Sequence, residues 1–230
     1  MVDLNADLGE GFVTDYDMLP WLTSVNICTG HHAGSQELTF ELSQIAAKMG
    51  KRIGAHIGFP DRPTMGRELP PNGVPATWIE SIHLQFSELS SNSENFRPDY
   101  VKPHGALYHW LNQQPTVQES DWHSIWDHIS ASGLPFLGLE GNQHQIQCLS
   151  RSITFIREGF CERGYDDLGN LIPRGQLGAM LHNIEDITQQ ALDLSDKVDS
   201  ICIHGDRDDA PYVAEAVYKK LIQEGIEVGF

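Results

Sequence analysis

Short apolar runs alternate with longer amphipathic stretches along the whole chain. Runs at 2–7, 24–28, 52–57, 99–103, 135–139, 153–158 and 200–204 have the length and composition of strands, and one more is expected at 226–229. Between them, 36–49, 76–90, 119–131, 143–150, 183–194 and 209–224 read as helices. Leu38, Leu42, Ile45, Ala46 and Met49 recur at helical spacing in the first, and Val213, Val217, Leu221 and Ile222 do so in the last. Gly50, Gly133 and Gly225 each follow a helical stretch and precede a strand, as a helix stop does. Alternation of this kind predicts an α/β fold on a mostly parallel sheet, open or closed.

No composition break divides the chain, so a single domain over 1–230 is expected. The Pro- and Gly-rich stretch 59–75 reads either as a linker or as a loop over a site, because it follows His56 and carries Asp61, Arg62 and Arg67. The Ser-, Asn- and Glu-rich stretch 88–97 reads as a solvated connection.

The strand ends are what suggest chemistry. Asp7, His56, His104 and His204 each close an apolar run, which predicts one site built at the rim of a sheet or barrel. Alternation puts Asp3, Asn5 and Asp7 on one face of the first strand: either a site satisfies them, or this is an edge strand with one wet face. Glu10 follows in a glycine turn. Asn26 precedes Gly30-His31-His32-Ala33-Gly34, where only one of the two imidazoles is expected to face the site. Lys102 and His104 share a strand face, and that lysine serves either a ligand anion or a core carboxylate. Arg163 and Arg174 lie in one glycine-punctuated loop, a pattern suited to forked recognition of carboxylate or phosphate. His204-Gly205-Asp206 closes the last block. Asp7, His56 and His104 together match a divalent-metal set with open positions, although 11 histidines offer many such combinations.

Composition narrows the partners. A formal charge of −17 repels phosphate backbones and anionic membranes, so neither nucleic acid nor membrane is expected. No apolar run reaches the ~18 residues that span a bilayer. Four cysteines without a C-x-x-C pair, and no leader pattern at the first residues, read as reduced thiols in a cytoplasmic protein. H-E-x-x-H, G-x-S-x-G, the Walker A loop and a post-strand G-x-G-x-x-G are all missing.

Together, D-L-N-A-D-L-G-E at 3–10, N-I-C-T-G-H-H-A-G at 26–34, I-G-A-H-I-G-F-P-D-R at 53–62, V-K-P-H-G-A-L-Y at 101–108, E-G-F-C-E-R-G-Y at 158–165 with L-I-P-R at 171–174, and I-C-I-H-G-D at 201–206 resemble the LamB/YcsF family of 5-oxoprolinase A subunits. The resemblance implies an irregular seven-stranded (β/α) barrel related to glycoside hydrolase and deacetylase folds. It implies ATP-coupled cleavage of 5-oxo-L-proline to L-glutamate, with separate B and C subunits as partners. On that reading Asp7 and Glu10 are bases or ligands, and His32, His56 and His104 are ligands or proton carriers. Lys102 is catalytic, and Asn5, Arg62, Tyr108, Arg163, Arg174, His204 and Asp206 bind substrate. The chain departs from the family pattern at Thr29, His31, Ser35, Ile57, Glu162 and Arg207-Asp208-Asp209; an Asp replaced by Ser35 would cost a ligand or base. Two other readings stand beside it: a metal-dependent N-acetyl-sugar deacetylase, and a non-catalytic paralogue.

Overall fold

The computed structural model of the protein describes residues 1–91, 97–113, 118–167 and 169–230, so residues 92–96 of the polar 88–97 stretch lie outside it. Seven parallel strands close into a barrel in chain order: β1 (Asp3–Leu8), β2 (Ser24–Cys28), β3 (Arg52–Ile57), β4 (Tyr100–Pro103), β5 (Phe136–Leu139), β6 (Phe155–Phe160) and β7 (Ser200–Ile203). The (β/α) barrel anticipated from the sequence is therefore the fold. Around the strands run α1 (Asp15–Met18), α2 (Gln36–Lys48), α3 (Ala76–Ser91), α4 (Gly105–Leu111), α5 (Glu119–Ser132), α6 (Gln143–Ser150), α7 (Ile184–Leu194) and α8 (Ala210–Gln223).

The local chemistry explains the element ends. Ser35 caps α2 by accepting from the Leu38 N–H at 3.2 Å, and Asn183 caps α7 by accepting from Glu185 N–H at 3.0 Å. Gly50, Gly133 and Gly225 have φ of 68°, 69° and 77°, the left-handed stop their positions predict. Two expectations need correction. The strand foreseen at 226–229 is a single bridge, Val2 to Val228, because from Asp3 onward β1 pairs with β7 on that side. And α4, directly after His104, carries no legible helical period: Ala106, Leu107, Tyr108, Trp110 and Leu111 are all buried and only His109 is exposed, so too little polar face marks it.

By internal contacts the chain divides into two compact units. One comprises Asp7–Phe12 and Ser24–Arg157. Its core is aromatic, with Trp122, Trp126, Tyr100, Phe59 and Phe136 fully buried. Removing each such side chain from water contributes on the order of 3 kcal/mol. The other comprises Met1–Ala6, Val13–Thr23 and Glu158–Phe230, and it buries Val213, Val217 and Leu221 of α8. Among the described residues no helix is long and apolar enough to cross a membrane.

Candidate active site

In the unit of Asp7–Phe12 and Ser24–Arg157, His56 is the penultimate residue of β3, His104 directly follows β4, and β1 runs out through Gly9 to Glu10. The ends converge. Glu10 Oε1 lies 3.0 Å from His104 Nδ1, 3.4 Å from His32 Nε2 and 3.5 Å from His56 Nε2. His56 Nε2 is 2.9 Å from His104 Nδ1. All four residues are buried. Burial alone would raise the Glu10 carboxyl, but the imidazoles of His104, His32 and His56 outweigh it and hold the group well below the usual carboxylate range. One ring nitrogen of each strand-end histidine is held from outside: His56 Nδ1 donates to the Lys102 carbonyl at 3.0 Å, and His104 Nε2 to the Met65 carbonyl at 2.7 Å.

A second constellation adjoins the first through Asp7. Lys102 Nζ donates to Asp7 Oδ1 at 2.8 Å, and Asn26 Nδ2 donates to the same oxygen at 2.9 Å. The Tyr100 hydroxyl donates to Asn26 Oδ1 at 2.6 Å and fixes that amide. Asp7 Oδ2 lies 3.4 Å from His56 Nε2. Lys102 thus serves a carboxylate at the site's edge, and the carboxylate that approaches both strand-end histidines is Glu10, whereas Asp7 approaches His56.

The loop 59–75 belongs to this site. Its Met65 carbonyl holds His104, its Gly66 carbonyl accepts from Ala106 N–H at 2.9 Å, and Arg67 reaches to 3.6 Å from Glu10 Oε2. Arg62, read from the sequence as a substrate binder, donates at 2.9 Å to the carbonyls of both Gly30 and Gly34 and so clasps the His32 loop. Close approach explains two glycines: a Cβ on Gly34 (φ +58°) would sit 1.9 Å from the Gly9 carbonyl oxygen, and one on Gly58 would sit 2.5 Å from His32 Nδ1. Of the paired histidines, His32 faces the site. His31 turns to Glu88 at 3.0 Å and to Ser81.

The remaining sequence candidates have other surroundings. Tyr108 lies buried in α4 with its ring edge-on to His144, centroids 4.5 Å apart. In the second unit, Asn5 donates to Ser200 Oγ at 2.7 Å, and Asp3 also meets Ser200 and Thr23, so this face of β1 is a buried polar network and not a wet edge. Arg163 is buried and donates to the carbonyls of Ala179 and Ile172, bracing its loop. Arg174 pairs with Asp206 at 3.3 Å on the surface. His204 Nδ1 donates to Glu162 at 2.7 Å, and burial, which would raise Glu162, is outweighed by the charge and bonds of His204, so that carboxyl is held down. Sequence reasoning missed Glu162 as a partner, Arg67 as a neighbour of Glu10, and Gln85, whose amide bonds both the N–H and carbonyl of Gly58. Gln85 carries no sequence signal, being one polar residue on an amphipathic helix.

A model of the LamB/YcsF family matches residues 2–229. The chain belongs to the LamB/YcsF family. It is 32% identical to the 5-oxoprolinase A subunit of Carboxydothermus hydrogenoformans, covering 99% of this chain and 96% of that protein. It is 30% identical to the 5-oxoprolinase A subunit of Streptomyces avermitilis, covering 99% and 98%. The crystal structure of the lactam utilization protein from Thermus thermophilus superposes with a TM-score of 0.83 at 28% identity, covering 99% and 98% of the two chains. Within this LamB/YcsF chain the described residues include one group with metal-binding composition: Glu10, His32, His56 and His104 each offer a donor atom within 4.8 Å of the others.

Proposed function

We propose that this protein is the A subunit of an ATP-dependent 5-oxoprolinase, opening the lactam of 5-oxo-L-proline to L-glutamate with B and C subunits as partners. The observation that carries the reading is the near-complete, two-way coverage by relatives bearing that name. The site chemistry is compatible with it. A lactam amide is resonance-stabilised. Opening it bonds a water oxygen to the carbonyl carbon as the C–N bond breaks, with one proton leaving the water and one reaching the ring nitrogen. Glu10, buried and held ionised by its imidazole neighbours, accepts the first proton. His56 or His104 supplies the second, imidazole being suited to transfer near neutral pH. Lys102, oriented by Asp7, faces the oxygen on which negative charge develops. His32 backs the cluster, its ring stacked on His104 with centroids 4.1 Å apart.

In this reading ATP, handled with the partner subunits, transfers its γ-phosphoryl group to the lactam oxygen and leaves as ADP; after water adds and the C–N bond opens, a second water hydrolyses the resulting acyl phosphate to glutamate and inorganic phosphate. Small-molecule recognition draws on Arg67, a third exposed beside Glu10. The enzyme works in the cytoplasm, to which four buried free thiols are suited. The test is ATP-dependent glutamate formation from 5-oxo-L-proline with B and C subunits added. A wild-type complex that forms no glutamate sinks the reading, and full activity in His104→Ala removes that residue from the mechanism. The donor group around Glu10 favours a second reading, a metal-dependent deacetylase acting without ATP. Release of acetate from an N-acetyl sugar, with 5-oxo-L-proline untouched, would replace the first reading by this one.

A further inference from the structure

We infer that Glu10, His56 and His104 seat one divalent transition-metal ion, with His32 outside its ligand set and a coordination position left open. The argument starts from tautomers. A carbonyl oxygen only accepts, so His56 Nδ1 and His104 Nε2, bonded to the carbonyls of Lys102 and Met65, must both carry hydrogen. If both rings are neutral, His56 Nε2 and His104 Nδ1 are bare lone pairs, facing each other at 2.9 Å. Glu10 Oε1 adds a third lone pair 3.0 Å from one and 3.5 Å from the other, and this buried oxygen has no hydrogen bond of ordinary geometry. Three converging acceptors repel unless a cation lies among them. Held imidazoles whose outer N–H groups meet carbonyls are also the usual surroundings of metal ligands.

Distances fit the ion. Bonds of about 2.0–2.2 Å at angles of roughly 90–115° separate donors by roughly 2.9–3.6 Å. The three separations here are 2.9, 3.0 and 3.5 Å. Asp7, the carboxylate expected from the sequence, is drawn to Lys102 and Asn26 and borders the seat at 3.4 Å from His56. His32 and His104 cannot both join His56: their planes are within 7° of parallel at a centroid distance of 4.1 Å, whereas His56 stands at 88° to His104 and 81° to His32. A ring's lone pair lies in its plane, so two stacked parallel rings cannot both aim at one ion, and two perpendicular rings can. His104 takes the place, its Nδ1 being 2.9 Å from His56 Nε2 and 3.0 Å from Glu10 Oε1, against 3.4 Å from that oxygen for His32 Nε2. Two nitrogens and one carboxylate oxygen select a first-row transition ion over Mg²⁺ or Ca²⁺. The ion would supply Lewis acidity to a carbonyl oxygen or water at the open position.

The inference rests on the site proposed above and gives Glu10, His56 and His104 ligand roles in place of proton-carrying ones; metal titration reads the seat and glutamate formation reads the reaction assignment, so the two failures are distinguishable. The test is calorimetric titration of chelator-treated full-length protein with Zn²⁺, and the visible spectrum after Co²⁺ addition. One equivalent is expected, with affinity lowered at least 100-fold in Glu10→Gln and His56→Ala and changed less than threefold in His32→Phe, which keeps a stacking ring. Should a variant not fold, long-range ¹H–¹⁵N spectra of the wild type decide: Zn²⁺ should move His56 Nε2 and His104 Nδ1 and leave both His32 nitrogens in place. No stoichiometric binding, with a proton shared by His56 and His104 instead, overturns the metal seat. Equal loss of affinity in His32→Phe, or ion-induced shifts at His32, overturns the three-ligand set.

Discussion

Replacing Lys102 by Met tests whether the Asp7–Lys102 pair is one electrostatic unit. The ammonium is buried, and Asp7 Oδ1 lies 2.8 Å away. At an effective dielectric of about 20, opposite charges at that separation attract by about 6 kcal/mol, a gross figure from which desolvation must be subtracted. Removing one member of a buried pair typically costs about 3–5 kcal/mol, because the other charge stays buried without its counterion. Lys102→Met and Asp7→Asn should therefore each lose about 3–5 kcal/mol of unfolding free energy. Independent effects would make the double variant worse by about 6–10 kcal/mol. Coupled charges predict instead that it loses only about 1–3 kcal/mol, the worth of the hydrogen bonds removed. Urea unfolding of the four proteins at neutral pH reads the stability arm, and glutamate formation with the partner subunits reads the catalytic arm. Stability should return in the double variant while turnover stays lost, since Lys102 is needed at the developing oxyanion. A double variant as unstable as the sum of the singles would refute the pairing, and one that regained turnover would refute the catalytic role.

Acid stability should depend on His144, whose Nε2 donates to the Tyr108 carbonyl at 2.9 Å while its Nδ1 accepts from Leu139 N–H at 3.2 Å. Burial lowers this imidazole to about 3, so the folded protein keeps it neutral while the unfolded chain protonates near 6.5. Its contribution is present above about pH 6.5 and is lost as pH falls toward 3, roughly 4–5 kcal/mol in all; His144→Leu should flatten that slope in urea titrations at successive pH values, and an unchanged slope would dismiss the assignment. Gly58→Ala places a methyl 2.5 Å from His32 Nδ1 and should cost about 1–3 kcal/mol by overpacking, measured by thermal unfolding; a neutral result would mean the His32 loop yields freely. Ser35→Ala should cost about 1 kcal/mol through the lost α2 cap, while Ser35→Asp keeps both stability and turnover; a large gain in turnover from Ser35→Asp would restore that position to the catalytic set.

The fold was legible because its elements carry strong period signals. Six long helices and seven strands appear within a residue or two of where spacing puts them, since each helix keeps a polar face and each strand is a short buried run bounded by turns. The barrel's closure and α4 were not legible from period: closure is a property of long-range pairing, and a seven-residue helix that exposes only His109 offers too little polar face to detect. At the site, strand-end position identified Asp7, His56 and His104, because a polar group ending a buried run has to be satisfied. It ranked Asp7 above Glu10 as the carboxylate partner of the histidines. Only the turn at Gly9, which swings Glu10 back over the strand ends, reverses that order, and turn direction is not encoded in residue type. The same limit hid Met65, whose contribution is a backbone carbonyl.

The departures from the family pattern acquire meaning from where they fall. Thr29 is buried and donates to Gln85 Oε1 at 2.8 Å, the amide oxygen that also receives Gly58 N–H, so it supports the His56 strand end from behind. His31 points away to Glu88. Ser35 is a helix cap, a role in which Asp and Ser are nearly equivalent. Ile57 is fully buried, and what it gives the site is its carbonyl, which accepts from His104 N–H at 2.7 Å whatever the side chain. Glu162 remains a carboxylate and grips His204 through both its backbone N–H and its ring. These five changed residues occupy supporting positions around the cluster rather than positions within it. Asp7, Glu10, His32, His56, Lys102 and His104 all retain ionisable or ligating side chains in mutual contact. Holding the buried Glu10 and three buried imidazoles together beside the half-buried Asp7 costs desolvation that a bound cation or a working proton offsets. The departures therefore fall on the scaffold around the cluster and leave in place the side chains that can ligate an ion or carry a proton.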